Sequence, residues 1–436
     1  MGLVMHSSAM PERRAFLRVL GASSAASSLG GLAACATGPS VRPIGRVVVI
    51  GGGFGGATAA RYLRMWSANR IEVVLIERNA AFVSCPLSNL VLGGARTLDE
   101  LTHSYGALRG HGVRVVHDEV SGVDADRKRV MLRGGTTLAY DRLVVSPGVD
   151  FLYGELPGLR SEDARKMVLH AWKAGAETLA LRRQLEAMRD GGVYALSIPK
   201  APYRCPPGPY ERVCQVAHYV KTAKPRAKIV VLDGNPDLVS KKGLFLAAWN
   251  ELYRGIIDYR PNQEAKDVDA KAHTVITEFD TFKGDVLNVL PPMRAGDIAV
   301  QAKLVTANQR WCGVNWQTME SVAVPGIHVL GDATLSAPAM PKSASMANNH
   351  AKIAASAIVA MMAGEPLNPL PTINNTCYSY VSDREAMHVD SVHRWDTAQK
   401  TLAPVKDSGG ASSARSELEK QYADAWAKNI WADSLG

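Results

Sequence analysis

Six cysteines stand in the chain, at positions 35, 85, 205, 214, 312 and 377. Thiolates serve as nucleophiles, metal ligands and partners in two-electron disulfide exchange, and their surroundings decide which chemistry is open. No pair has the C-x-x-C spacing of a zinc ribbon or a thioredoxin-like motif, so no metal site is expected. Cys205 has the most informative setting. It follows an apolar run, Val193 to Pro199, that reads as the first strand of a doubly wound unit. After such a strand a pyridine-nucleotide site needs glycines and a helix N-terminus to receive pyrophosphate. The chain has instead Arg204-Cys205-Pro206-Pro207-Gly208-Pro209-Tyr210-Glu211, and proline offers no N–H to a phosphate. A thiol occupies the place of a phosphate loop. Glu211, six residues on, is either an acid/base group for that thiol or an ordinary helix-turn carboxylate.

The elements that must position these residues begin with a complete glycine loop. Arg46 to Gly56 (RVVVIGGGFGG) is a buried strand running into Gly51-x-Gly53-x-x-Gly56, and Ala57 to Trp66 follows as a helix. Gly51 makes the tight turn, Gly53 lets the backbone approach a pyrophosphate, and Gly56 allows close helix–strand packing. Ile71 to Ile76 is the next strand, and it ends at Glu77, placed to accept from ribose hydroxyls. Val113 to Val116, Arg129 to Leu132 and Leu143 to Ser146 read as further strands, and Ala174 to Met188 as a helix leading to the second unit. Within that unit Ile229 to Leu232 is a second strand ending at Asp233. Ile327 to Leu330 meets Gly331-Asp332-Ala333, where Asp332 suits the ribityl hydroxyls of a flavin. An Ala-rich helix from Lys342 to Met361 would turn its positive end toward the flavin pyrimidine. Trp311-Cys312 reads as part of a core strand, and from Gly364 a Pro/Asn-rich stretch opens a C-terminal region.

At 436 residues the chain predicts two or three domains. Its 50 basic and 41 acidic residues leave a formal charge of +9, which reads as scattered solvated side chains. No basic run carries interleaved aromatics, which argues against nucleic acid. Residues 1–35 read as an export signal: Glu12-Arg13-Arg14-Ala15-Phe16-Leu17 is a twin-arginine pattern, followed by a weakly apolar stretch to Ala34. That route carries folded proteins and predicts a periplasmic location. Leu32-Ala33-Ala34-Cys35 also matches a lipoprotein cleavage box, with Cys35 as the lipid anchor, and a plain peptidase cut nearby is the alternative. No later stretch has the roughly 20 continuous apolar residues of a membrane span.

Together these motifs resemble the two-dinucleotide-domain disulfide reductases and, within them, the flavoprotein subunit of flavocytochrome c sulfide dehydrogenase. The resemblance runs from Arg46 to Gly436 and is carried by Gly51–Gly56, Ser84-Cys85-Pro86-Leu87-Ser88-Asn89, His170-Ala171-Trp172-Lys173-Ala174-Gly175, Cys205–Glu211, Pro291-Pro292-x-Arg294-Ala295-Gly296, Gly331-Asp332-Ala333, Pro341-Lys342-Ser343 and Asn375-Thr376-Cys377-Tyr378. It implies an α/β fold with two Rossmann-like, glutathione-reductase-like domains and a C-terminal α+β interface domain. The implied boundaries are 44–158 and 298–365 for the two parts of an FAD-binding domain, 159–297 for a second Rossmann-like domain without a nicotinamide loop, and 366–436 for the interface domain. By resemblance, Cys85 bonds the flavin 8α-methyl carbon, Cys205 and Cys377 form a redox-active disulfide, and Glu211 is its proton acceptor. Gly51, Gly53, Gly56, Glu77, Asp332 and Lys342 would bind the FAD, with Trp426 near the ring in an aromatic segment spanning Tyr422 to Ile430. The chain departs from the family pattern at Pro86, often an aromatic residue there, and at Cys214, usually a small residue.

The implied activity is oxidation of sulfide to sulfur or polysulfide, with electrons passed to a cytochrome c subunit that alone carries haem c. Two alternatives remain open: a sulfide:quinone oxidoreductase, and a flavoprotein redox partner that does not itself turn over sulfide. The residues alone also leave duller roles open. A purely structural Cys205–Cys377 bridge closing so long a loop would stabilise by about 4–5 kcal/mol. Cys85 and Cys312 would, as buried thiols, be inert. The C-terminal Gln421 to Leu435, with charges spread among its tryptophans, reads as a protein-interface helix rather than a membrane anchor.

Overall fold

The structure, a computed structural model, describes residues 43–436; the twin-arginine segment and Cys35 lie outside the described residues. Val47, Val48 and Val49 are wholly buried on the first strand, Gly45–Ile50, as a parallel strand covered on both faces requires. This strand pairs in parallel with Ile71–Ile76 on one side and Arg142–Val145 on the other. Arg114–Val116 extends the sheet beyond Ile71–Ile76, and Ile327–Val329 extends it beyond Arg142–Val145. Residues near 45–145 and near 314–329 therefore share one seven-stranded sheet. The helix Phe54–Trp66 packs against the helix Ala344–Ala363, and small buried residues (Ala57 and Ala60, Ala351 and Ala354) let the two approach.

A second parallel sheet has the order Ile257–Arg260, Lys228–Asp233, Val193–Ile198, Val286–Val289. The helix that follows its first strand is Gly208–Ala223, so the Cys205 turn sits where the first unit has its glycine loop. The helix leading in runs Ala176–Ala187. The fold is thus that of the two-dinucleotide-domain flavoprotein oxidoreductases.

Three expectations shift. The Ala-rich helix starts at Ala344, because the Ser343 hydroxyl accepts from the Met346 N–H at 3.0 Å and caps it. Trp311 and Cys312 make isolated bridges only, although both are buried. The Asn-rich segment is a nine-residue strand, Thr372–Tyr380, the first of an antiparallel meander with Ala386–Asp396 and Thr401–Pro404. Asn375 can occupy a buried position of that strand because its side-chain oxygen accepts from the Ser343 hydroxyl at 2.7 Å.

Candidate active site

A cavity of about 960 Å³ is lined by Gly51, Gly53 and Glu77 of the first unit, Cys85, Cys205 and Glu211, Asp332, Cys377 and Trp426. The glycines divide the work. Gly51 has φ +95°, and a Cβ there would lie 2.3 Å from the Ser146 carbonyl oxygen. A Cβ on Gly56 would fall 1.8 Å from the Gly51 carbonyl oxygen, so Gly56 serves helix–strand contact and does not line the cavity. At Gly53 a Cβ would meet nothing within 4 Å, so the loop is open there. Glu77 accepts from the Gly52 N–H at 2.7 Å and from Asn79 through its backbone at 2.9 Å and its side chain at 2.7 Å. A carboxylate has about four acceptor positions, which leaves capacity for a ribose hydroxyl. FAD fits this lining: an open glycine turn, an acid at the next strand end, and a volume at the top of the ligand-site range.

Lys342 lies behind the cavity lining. Its ammonium donates to the carbonyls of Asp332 and Thr334 and stands 3.8 Å from the centroid of the Trp311 ring. It therefore points away from the cavity, and burial lowers its pKa to about 8. Asp332 does line the cavity, with burial raising its carboxyl against the pull of Arg204 and Lys342.

Cys85 and Cys205 have opposite surroundings. Burial would raise the Cys85 thiol, but the Arg204 charge, a hydrogen bond from Arg204 Nη2 at 3.5 Å and the Ala174 N–H bring it below its ordinary value. Burial pushes the Cys205 thiol far up, and the charges of Cys377 and Glu211 add to this. Cys205 has φ +59°, a left-handed conformation that costs a non-glycine residue of order 1–2 kcal/mol. It is held there by its N–H on the Lys342 carbonyl at 2.9 Å and by its own carbonyl accepting from Gly208 N at 2.9 Å. A side chain at Gly208 would sit 2.8 Å from the Cys205 sulfur, so that glycine makes room for the thiol.

Cys377 lies on the strand Thr372–Tyr380, and both it and Cys205 are free thiols on the wall of the one cavity. Burial raises the Cys377 thiol, while Lys241, Asn375 and Ser343 pull it down. Glu211 stands within electrostatic range of both sulfurs. Its oxygens accept from the Tyr380 N–H at 2.9 Å and the Asn89 amide at 2.8 Å, and burial raises its pKa. Cys214 is wholly buried, accepts from the Trp249 indole at 3.2 Å and does not line the cavity. Cys312 is likewise a core residue.

Four further residues frame the site. Asn89 donates to Glu211 and accepts from Arg212 Nε at 3.0 Å. Arg212, wholly buried, spends its remaining bonds on the carbonyls of His170 and Ala171 and on Asn288, and lies 4.7 Å over the Trp172 ring. Arg204 sits beside Cys85, and Lys241 behind Cys377. Asn89 and Arg204 fall within or beside the cysteine motifs, and Arg212 follows Glu211, so proximity to those motifs was a usable signal. Lys241, in an ordinary-looking Lys-Lys pair, gave none.

At the second unit's strand ends the acid is already engaged within the protein. Asp233, the acid in the ribose-binding position, accepts from the hydroxyls of Tyr210 at 2.8 Å and Tyr259 at 3.0 Å, and from Asn235 through its backbone and its amide.

Comparison with known proteins gives three family matches. Residues 178–291 match the central region of the sulfide dehydrogenase [flavocytochrome c] flavoprotein chain, and residues 369–435 match the flavin-binding region of flavocytochrome c sulphide dehydrogenase. Residues 45–186 match the pyridine nucleotide-disulphide oxidoreductases. The chain is 59% identical over 46 residues to the sulfide dehydrogenase [flavocytochrome c] flavoprotein chain of Chlorobaculum thiosulfatiphilum, a match covering 11% of this chain and 94% of that one. It is 22% identical over 343 residues to the mitochondrial sulfide:quinone oxidoreductase of Dictyostelium discoideum, covering 75% of this chain and 73% of that one. Among solved structures, the sulfide:quinone oxidoreductase of Aquifex aeolicus superposes with a TM-score of 0.74 at 17% identity, over 89% of this chain and 91% of that one.

Proposed function

The chain belongs to the flavocytochrome c sulfide dehydrogenase flavoprotein family, and from that premise we propose that it oxidises sulfide at the Cys205–Cys377 pair beside FAD held in the large cavity. The observation that carries this reading is the meeting of two thiols and a buried carboxylate on a cavity whose wall also includes an open glycine loop. When bound, FAD supplies a two-electron acceptor that can release electrons singly. The chain's own residues supply the rest. As a disulfide, Cys205 and Cys377 are an electrophile for hydrosulfide, and attack forms a cysteine persulfide while the other sulfur leaves as a thiolate. Glu211, fixed by Tyr380 and Asn89, takes the proton that hydrogen sulfide or the persulfide gives up. Cys85, with Arg204 favouring its thiolate, would hold the flavin covalently. The electron acceptor is a cytochrome c subunit carrying haem c, and the place of action is the periplasm, reached by the twin-arginine route.

Anaerobic addition of sulfide to the flavin-loaded protein is expected to bleach the flavin and then reduce cytochrome c. Cys205→Ser or Cys377→Ser should each abolish the bleaching, and Cys85→Ser should release flavin on acid precipitation. Bleaching retained in both serine variants of the pair would sink the reading. The similarity to sulfide:quinone oxidoreductases favours a second acceptor, a quinone. Against it, most apolar residues of the C-terminal helix Glu417–Leu435 turn inward: Ala423, Ala427, Ile430 and Leu435 are buried, Trp426 lines the cavity and Trp431 donates to Ser84 at 2.9 Å, which leaves Leu418 and Tyr422 as its exposed large apolar side chains. Side-by-side assays with cytochrome c and a soluble quinone decide between the two acceptors.

A further inference from the structure

The two thiols of the pair are not equivalent, and the difference lies behind the cavity wall. Lys241 precedes the helix Lys242–Leu252 of the second unit, with φ +51°. From there its ammonium crosses to the C-terminal meander, donating to the Cys377 carbonyl at 2.9 Å and the Ser379 hydroxyl at 2.8 Å. It does not line the cavity, so it acts on the site through the strand that carries Cys377. On the same strand Asn375 accepts from the Cys377 thiol at 3.5 Å and from Ser343 at 2.7 Å, fixing the sulfur's orientation. Cys205 has the reverse setting. Its sulfur lies in a mount of Gly208 and Trp172, and the neighbouring Arg204 guanidinium is turned to Cys85.

We propose that Lys241 is a positioning residue that sets the polarity of the pair, so that a sulfur nucleophile strikes Cys205 and Cys377 leaves as the thiolate. In that step hydrosulfide bonds to Cys205 Sγ, the Cys205–Cys377 bond breaks, and its electron pair departs on Cys377 Sγ. The products are a Cys205 persulfide and a Cys377 thiolate, balanced without a further oxidant. Exchange is faster when the leaving sulfur has the lower pKa. Burial lifts both thiols and Glu211 raises both; at Cys377 Lys241 is the foremost offset, joined by Asn375 and Ser343, whereas at Cys205 Cys377 and Glu211 come ahead of the weaker pulls of Arg204 and Lys241. The charges facing Lys241 itself are Cys377, Glu211, Cys205 and Glu419; burial lowers its pKa to about 8.

The inference rests on the proposed sulfide chemistry, so its tests read polarity separately from turnover. Brief iodoacetamide treatment of the reduced, flavin-loaded protein, followed by peptide mass spectrometry, should label Cys377 about tenfold ahead of Cys205. Lys241→Gln should bring the ratio to within about twofold, and Lys241→Arg should restore it. A ratio unchanged in Lys241→Gln protein that keeps its flavin spectrum, or a preference for Cys205 in the unsubstituted protein, overturns the proposal. Should the substitution prevent folding, the unsubstituted protein still decides. After one equivalent of sulfide, quenched by alkylation, the persulfide should be on Cys205, and a persulfide on Cys377 overturns the assignment. If sulfide yields no persulfide on either residue, the sulfide reading fails, and the labelling ratio alone decides the polarity.

Discussion

At the scale of single residues, Arg204 links two cysteines with different fates. Its guanidinium reaches Cys85 while its backbone carbonyl accepts from the Trp172 indole at 3.1 Å, so the residue before Cys205 is anchored at both ends. Substituting Arg204→Leu removes the charge that offsets burial at Cys85, and that thiol should rise. Alkylation of Cys85 in flavin-free protein at pH 7 is expected to slow about tenfold, the effect of one pKa unit on the thiolate share. Covalently retained flavin after acid precipitation should fall in parallel. An unchanged alkylation rate would mean that the Ala174 N–H, rather than Arg204, governs the thiol. The sequence made the cysteines visible because each sits in a motif unlike its alternatives. It did not make their electrostatics visible, because Lys241 approaches Cys377 from a distant segment and Asn89 from another.

At the scale of elements, strand–loop–helix patterning was legible wherever local pattern and burial agree. The strands Val193–Ile198 and Lys228–Asp233 lie within a residue or two of where their apolar runs and punctuation put them, while the helix Phe54–Trp66 starts three residues earlier than expected and takes Gly55 and Gly56 into its first turn. The strand Thr372–Tyr380 was hidden because its asparagines suppress strand propensity, and only the pairing with Ala386–Asp396 and the Ser343 contact compensate. What Lys342 itself touches was equally hidden: its ammonium is committed to carbonyls and Trp311, while Ser343 to Ser345 at the helix start line the cavity. The glycine loop offers a paired test. Gly56→Ala must displace backbone at 1.8 Å and should cost roughly 1–3 kcal/mol or more, seen as a lowered Tm and lost flavin. Gly53→Ala meets no protein atom and should leave the stability of the flavin-free protein within about 1 kcal/mol while weakening FAD binding. Equal thermal losses in the two variants would contradict this division of roles.

At the scale of the molecule, the two sheets, each parallel where it carries its glycine or cysteine loop, have diverged in what their strand ends offer. The first ends in an open glycine turn and an acid with spare acceptor capacity; the second ends in Cys205 and an acid engaged by Tyr210, Tyr259 and Asn235. NADH at millimolar concentration should therefore neither shift the Tm nor bleach the flavin in the absence of sulfide, and bleaching would refute this account. The cavity between these parts takes its lining from Ile50 through to Trp426. The C-terminal helix is also stitched back onto the first: Thr58 donates to Ser434 at 2.9 Å, and Tyr62 to Asp433 at 2.5 Å. A ribosome adds about 5–20 residues per second, so the glycine loop waits on the order of tens of seconds for its opposite wall to be translated. The pocket lacks part of its wall in any nascent fragment that stops short of Trp426. A chain threaded through a membrane unfolded would have to rebuild it on the far side, whereas the twin-arginine route proposed for this protein would deliver it already assembled.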